Sequence, residues 1–558
     1  MRASGLRSLA HHRAIVSSRR LCRTSSIARG TDRNHAALEK GENYHGFEVL
    51  QKFEVKDKNW TCYNMKHTNT NAEYFHIDSP DLENTFGVVF KTLPDSSGVA
   101  HILEHTTLCG SKQFPVRDPF FNMLKRSINT YMNAWTGYDW TAYPFSSQNP
   151  KDFHNLLRVY LDATFFPNLN RLDFLQEGHR LELTDPSDLS SPVCIKGVVY
   201  NEMKGASASP DRQITVKLQS ELFPPHITYH HDSGGDPAQI PYLTYEKLQK
   251  FHQDNYHPSN TRFYSYGDLP VTETLQYLNE QILSQFSALD ISQTVPLVDR
   301  LSDVKVVEST TAPYPGVPLE TGNTALVSYL TNDVTDTTET FTLEILSSLL
   351  LKGSSSPFYK ARMARNGIGK DFSVGTGYAG HTRESTFGFG LQGIREEEIP
   401  QTYEMIQSTL EQVANEGFSQ ERIDSVLHAL EIQKKSIPYN FGLSIFGQII
   451  SPWIHGADLE PFMDIDSIVN GFKQRLADNP KFLQEKISEH LLTNKHGVKL
   501  ICRPDGEYSA KKEQEESVLI EKLASQLTEE DRKRIVEEQI ALEKHQSQEQ
   551  DREVLPKM

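Results

Sequence analysis

His101-Ile102-Leu103-Glu104-His105 is the stretch from which the rest of this sequence is read. On a helix, residues four apart lie one turn from each other on the same face. The imidazoles of His101 and His105 can therefore close on a single metal ion. Glu104 stands a turn's reach from His101, where a carboxylate can touch a water at the metal's open position. The order H-x-x-E-H inverts the more common H-E-x-x-H arrangement, and the inverted order belongs to a different fold.

Those five residues alone would also suit a helix carrying two surface histidines. Their setting argues for more. Residues 85–93 read as a strand centred on Val88, Val89 and Phe90. Pro94-Asp95-Ser96-Ser97 then reads as a turn that offers Ser96 or Ser97 as an N-cap. A helix over 98–108 follows, with Gly110 as its stop. A catalytic zinc takes three protein ligands and keeps one position open, so two histidines leave a ligand missing. It is expected on a separate helix. The best candidate is Glu202 in Gly197-Val-Val-Tyr-Asn-Glu-Met-Lys-Gly205, where a strand-like start at 198–200 runs into a polar helical stretch. Spacing does not separate Glu202 from the other acids of this acidic chain.

At 558 residues the chain is long enough for two to four domains. No apolar run approaches the 18 residues or so that a membrane-spanning helix requires. The first 31 residues hold seven arginines, six serines and no acid, which is the composition of a mitochondrial transit peptide. A basic arm that binds nucleic acid would look similar, but the acidic remainder makes a poor nucleic-acid binder. Loss of those seven arginines would take the formal charge from −16 to −23. Such a charge suits basic peptides, and it also serves solubility alone. The cysteines, Cys22, Cys62, Cys109, Cys194 and Cys502, form no C-x-x-C, which fits a reducing compartment. Cys109, just past the motif helix, reads as a small packed residue or an oxidation-sensitive thiol.

Two halves of the chain echo each other. The first, 42–290, reads strand, strand, motif helix, strand, then helices. In it, 116–126 is helical or irregular, 129–136 and 140–145 are strands, and 151–166 and 244–256 are helices. The second half, from Asn323, repeats the order: a strand at 325–330, a helix at 340–351, strands around 386–391, and helices at 398–415 and 420–436. Its first helix carries Ile345, Ser347 and Leu349 but no histidine, so the chemistry belongs to the first copy and the second supplies a wall. From Lys511 to Gln548 two further helices are separated near Leu527-Thr528, with Thr528 and Asp531 resembling a capping box.

The segments HILEHTTLCGS, RSINTYMNAWTGYDWTAYPFSSQNPKDF, GVVYNEMKGA, SGGDP and YHPSN together resemble the presequence proteases. These are organellar members of the pitrilysin/insulin-degrading-enzyme superfamily of zinc peptidases. The resemblance runs over about 44–548. It implies an α+β fold of two homologous domains, each a mostly antiparallel β-sheet packed with α-helices, at 42–290 and 310–505. A helical hairpin linker at 506–558 follows. It implies one Zn2+ per chain, bound by His101, His105 and Glu202, with Glu104 as general base. It places Asn133 and Ala134 on an edge segment that adds the substrate as another strand, although Asn133 also reads as a structural strand-end amide. Trp135, Tyr138 and Trp140 are pocket aromatics or core. Glu177, in Gln176-Glu177-Gly178, is a candidate for a carboxylate that orients a ligand, or is a solvated helix acid. The expected activity is degradation of cleaved basic presequences and other short unstructured peptides in the mitochondrial matrix, with no nucleic-acid partner and no membrane span.

Members of that family are about twice as long, with four such domains. Their second pair closes over the site and contributes substrate-binding side chains. The resemblance therefore implies a half-enzyme, weak or inactive alone, that a chain carrying the C-terminal half would complete. Two rivals remain open. A mitochondrial processing peptidase-like subunit fits the length, but the gap from His105 to Glu202 is long for it and the hairpin unexplained. A non-catalytic core or decoy homologue would ordinarily have lost the motif.

Overall fold

The computed structural model describes residues 37–291, 293–364 and 367–557, so the expected transit peptide at 1–31 lies outside the described residues. The strand Asn84–Lys91 shows how the architecture arises. Seven of its eight residues are buried, although successive side chains point to opposite faces of a sheet. Both faces of this sheet are therefore covered, and an apolar run such as Phe-Gly-Val-Val-Phe is what two buried faces require.

Nine strands form this first sheet. The order is Asn43–Tyr44, Phe47–Val55, Trp60–His67, Glu73–Asp78, Thr261–Gly267, Asn84–Lys91, Trp140–Ser147 and Tyr131–Met132, with Trp135–Thr136 also on Trp140–Ser147. All neighbours are antiparallel except Thr261–Gly267 with Glu73–Asp78. The second sheet has six strands. Lys305–Thr311, Gly497–Pro504, Asn323–Asp333, Glu384–Ile394 and Asp371–Phe372 lie in that order, with Gly377–Ala379 also on Glu384–Ile394. Here too a single parallel pair, Lys305–Thr311 with Gly497–Pro504, is followed by antiparallel neighbours. In each half an early strand lies parallel to a late one, and the late one lies antiparallel to the strand that precedes the first long helix. The two halves are homologous α+β units, as the element order predicts.

Helices cover the sheets by exchange. Phe86, Val88, Phe90, Tyr143 and Phe263 face a core shared with helices of the first half. The opposite face, with Phe75, Ile77, Val89, Tyr264 and Tyr266, is covered by the helix Phe441–Ile454 from the second half. Conversely, Leu326, Leu330, Val498 and Leu500 of the second sheet pack on Ile214, Leu218 and Leu222 of the helix Pro210–Leu222 from the first. Gly87 and Gly442 allow the close approach of the Phe441–Ile454 helix, since a Cβ on Gly87 would meet the Phe446 ring at 2.5 Å and one on Gly442 the Tyr266 ring at 2.4 Å. After the second sheet come the hairpin helices Tyr508–Ser525 and Glu529–Ser547, the latter opened by a capping box between Thr528 and Asp531.

Three local expectations are corrected. The strand read over 129–136 is two bridges, Tyr131–Met132 and Trp135–Thr136, in one register on Trp140–Ser147. Pro144 lies opposite the gap and has no N–H to give, so the ladder is interrupted there. The Asn133 carbonyl accepts the Tyr160 hydroxyl at 3.3 Å instead. The strand-like start at 198–200 is already helix, Val198–Ala206, because Val199, Tyr200 and Met203 lie on one buried face. The N-cap of the motif helix is Gly98, in left-handed conformation, rather than Ser96 or Ser97.

Phe446 is fully buried and stacks on Tyr264 at 4.9 Å, where the second half's helix meets the first sheet. Phe446→Ala should cost about 3–5 kcal/mol in denaturant unfolding. A change below about 1 kcal/mol would mean that this helix does not close the core.

Candidate metal centre

The motif helix, Val99–Thr107, is anchored by Val99, Ala100, Ile102, Leu103 and Thr106, all buried, and leaves His101, Glu104 and His105 partly exposed on its other side. Ser96, one of the serines expected to cap it, holds a neighbouring loop. The Ser96 hydroxyl accepts the Asp232 N–H at 3.2 Å, and its carbonyl accepts the Asp236 N–H at 2.8 Å. That loop presents the Gly234 carbonyl to His101, whose Nδ1 donates to it at 3.0 Å. His105 Nδ1 donates to Glu177 Oε2, also at 3.0 Å. With both Nδ1 atoms engaged as donors, both Nε2 lone pairs are left for a metal, which is the usual arrangement of ligating histidines.

Glu202 comes from the helix Val198–Ala206. Gly197 opens it with φ +157°, and a Cβ there would fall 2.0 Å from the Gly178 carbonyl oxygen. Only glycine lets the helix start so close to the turn after Glu177. The Tyr200 N–H donates to that carbonyl at 3.3 Å. Glu202 points outward, with its side chain 54% exposed, and its Oε2 lies 3.9 Å from His105 Nε2. The ligand atoms of His101, His105 and Glu202 all lie within 4.8 Å of one another.

These residues fit a zinc ion. Bonds of about 2.0–2.2 Å around a tetrahedral centre put neighbouring ligand atoms roughly 3.4 Å apart, so small side-chain movements would close the set. Charge agrees. Burial pushes His105 down, but the hydrogen bond to Glu177 and the nearby Glu104, Glu177 and Glu202 outweigh it, and the imidazole is held above its usual range. Burial pushes the Glu177 carboxyl up, but bonds from His105 and Gln176 outweigh it, and Glu177 stays below the usual range. Three carboxylates around two imidazoles make a pocket that a divalent cation would relieve. A second grouping, Glu339, Glu489 and His490, already holds a cation: Lys486 pairs with Glu339 at 2.9 Å and with Glu489 at 2.8 Å.

Glu104 Oε2 accepts the Thr136 hydroxyl at 2.6 Å. Thr136 escapes a reading of the sequence by motif. Its only signal is alternation, which puts it on the face opposite Trp135. Trp135 goes to the other side, stacking on Phe446 at 6.0 Å and donating to the Tyr131 hydroxyl. The Gly234 carbonyl has no sequence signal at all, since any residue offers one. Asn133 and Ala134 lie in the gap between the two edge bridges, with Asn133 exposed and its N–H on the Pro144 carbonyl at 3.3 Å. Tyr138 packs edge-on against Tyr229. Cys109 is buried, its thiol donates to the His105 carbonyl at 3.4 Å, and burial pushes it well above the usual thiol range. It is a packed residue.

Three family profiles match the chain. "Insulinase (Peptidase family M16)" matches residues 91–184, and "Peptidase M16 inactive domain" matches residues 242–430. A third, described as a region associated with peptidases of the same family, matches residues 502–558. Among curated proteins, "Presequence protease, mitochondrial" from Mus musculus is 46% identical over 92% of this chain and 50% of its own length. The protein of that description from Drosophila melanogaster is 39% identical over 94% of this chain and 51% of its own. The chain thus spans about half the length of the curated relatives it matches. Among solved structures, a protease from Helicobacter pylori superposes with a TM-score of 0.61 at 17% identity, covering 81% of this chain and 99% of that one. Pitrilysin superposes at 0.59 and 15%, covering 86% of this chain and 50% of its own. These two likenesses concern the fold.

Gly197→Ala tests the geometry that brings Glu202 to the histidines. The added Cβ should destabilise the chain by about 2 kcal/mol or more in denaturant unfolding. An unchanged unfolding midpoint would show that the helix start has room to move.

Proposed function

The chain belongs to the M16 family of peptidases, and from that premise we propose that it carries a zinc-dependent peptide-hydrolysing centre. The observation that supports this most is the convergence of His101, His105 and Glu202 beside Glu104. In this reading the first three hold the ion, and Glu104 is the general base. Bound zinc would lower the pKa of a water toward neutrality and polarise the scissile carbonyl. Glu104 takes the proton of the attacking water and returns it to the leaving amine. The Thr136 hydroxyl ties down one oxygen of Glu104 and so aims the other. Glu177 and the Gly234 carbonyl keep the two imidazoles turned toward the ion.

The proposed substrates are cleaved targeting presequences and other short unstructured peptides. An extended peptide would add to the sheet edge at Asn133 and Ala134, where main-chain bonding tolerates varied side chains. The acidic chain favours basic peptides by raising their local concentration. The curated relatives are mitochondrial by description, and the arginine-rich first 31 residues support import, which we extend to a site of action in the matrix. We assign 1–31 as the leader, 42–290 as the catalytic domain, 310–505 as a second domain that walls the site, and 506–558 as the connecting hairpin. A chain carrying the relatives' remaining half is the proposed partner.

Two variants and a chelator test this. A zinc chelator should abolish cleavage of a short basic peptide, and restored zinc should return it. Glu104→Gln should keep one zinc and lose about 100- to 10,000-fold in cleavage rate. Wild-type turnover in that variant would remove Glu104 as the base. Glu202→Ala should lose zinc, and full occupancy by metal analysis would take Glu202 out of the ligand set. A decoy homologue would bind zinc and cleave nothing at all.

A further inference from the structure

The C-terminal hairpin does more than follow the second sheet. Glu202 has one polar contact among the described residues, His105 Nε2 at 3.9 Å, and more than half its side chain is exposed. Nothing around the carboxylate holds it, so its position is set by its helix. That helix is gripped from outside. Glu516, on the first hairpin helix, accepts the Tyr200 hydroxyl at 2.8 Å and takes Lys204 Nζ at 2.8 and 2.6 Å on its two oxygens. Tyr200 and Lys204 flank Glu202 two residues to either side. A carboxylate fastened to both fixes the rotation of the helix about its axis, and with it the direction of Glu202.

The second hairpin helix reaches the other side of the centre. Gln546 Nε2 donates to Gln176 Oε1 at 3.0 Å, and Gln176 Nε2 donates to Glu177 Oε1 at 2.8 Å. Glu177 in turn accepts from His105 Nδ1. The helix Arg171–Glu177 is also tied by Glu538, which takes two hydrogen bonds from Arg171, and by His545 on Asp173 at 3.1 Å. Between the Glu177 and Glu202 helices the chain forms the two-stranded ribbon Arg180–Leu183 with Val193–Lys196. Ile535 of the hairpin packs on Leu183 and Val193 of that ribbon, and Arg532 donates to the carbonyls of Leu189 and Ser191. The whole segment from Arg171 to Ala206 is thus clamped from outside by the hairpin.

We propose that the hairpin is a working part of the metal centre, with Glu516 and Gln546 as positioning residues: Glu516 fixes Glu202 through Tyr200 and Lys204, and Gln546 fixes His105 through Gln176 and Glu177. This rests on the zinc reading above. Partners one shell removed from a metal ligand commonly alter affinity by about 10- to 100-fold, so the effect is measurable without any turnover assay.

The test is zinc affinity of the 558-residue chain by competition with a chromophoric chelator, alongside melting of its metal-free and zinc-loaded forms. Glu516→Ala should weaken zinc by about tenfold or more, and Gln546→Leu, one link further away, by a smaller multiple. Glu516→Gln, which keeps an acceptor for Tyr200, should recover part of the loss. Metal-free melting should stay near wild type while the gain on adding zinc shrinks. Affinity within twofold of wild type in either variant overturns the role of that residue. Equal loss of melting temperature in the metal-free and zinc-loaded forms overturns the proposal in favour of plain structural support. A wild-type chain that takes up no zinc overturns this proposal and the zinc reading together, whereas wild-type uptake with unaltered variants overturns this one alone.

Discussion

A mutual debt of apolar surface holds the molecule together. Each sheet has two apolar faces, and each half supplies helices for one of them. The Phe441–Ile454 helix leaves the second half to cover Phe75, Val89 and Tyr264 of the first sheet. The Pro210–Leu222 helix leaves the first half to cover Leu326 and Leu500 of the second. Neither sheet would stay dry on one side without the other half, because burial of apolar area is the dominant favourable term. A further polar link lies in the same region: Tyr229 and His455 both meet the buried Asp139 carboxylate, and the Arg383 N–H donates to the Tyr229 hydroxyl. The two halves behave as one body for this reason, even though only the first carries histidines on its leading helix.

The proposed metal centre is framed by that body. Strand Asn84–Lys91, buried on both faces, delivers the motif helix. The edge bridge Trp135–Thr136 is pinned from behind by Trp135 on Phe446, so Thr136 arrives at Glu104 from a fixed backbone. Glu202 is the exception. It sits on an exposed face, and its placement is passed to Gly197 at one end of its helix and to the hairpin along its side. The group proposed to complete the ligand set is the one least held by its own surroundings.

Much of the frame was legible in the sequence because it rests on periodicity. Apolar runs marked the double-buried strands, and the motif histidines, the capping box at Thr528 and the repeated element order each carry a local signature. What escaped had no local signature. Ser96 and Ser97 look like caps, but the Ser96 hydroxyl accepts the Asp232 N–H and the Ser97 N–H donates back to Asp95, leaving Gly98 to start the helix. Val198 to Tyr200 are apolar enough for a strand, and only the core beneath decides that they bury as a helix. The Phe441–Ile454 helix exposes only a narrow stripe, Ser444, Gly447 and Gln448, and has Pro452 inside it, so its period is faint against an otherwise apolar run.

The chemistry on offer was already written in the order of residues: two histidines one turn apart with a glutamate between them, an acid in a glycine-bounded helix, and two copies of one unit with the histidines in only one. Such features depend on spacing within a single element, where neighbours in the chain are neighbours in space. Folding then settled which acid meets the histidines, that Gly234 and Glu177 turn their rings, that Thr136 holds Glu104, and that each half's helix seals the other's sheet. Those are contacts between residues far apart in the chain, and their geometry exists only once the sheets, the exchanged helices and the hairpin have packed together.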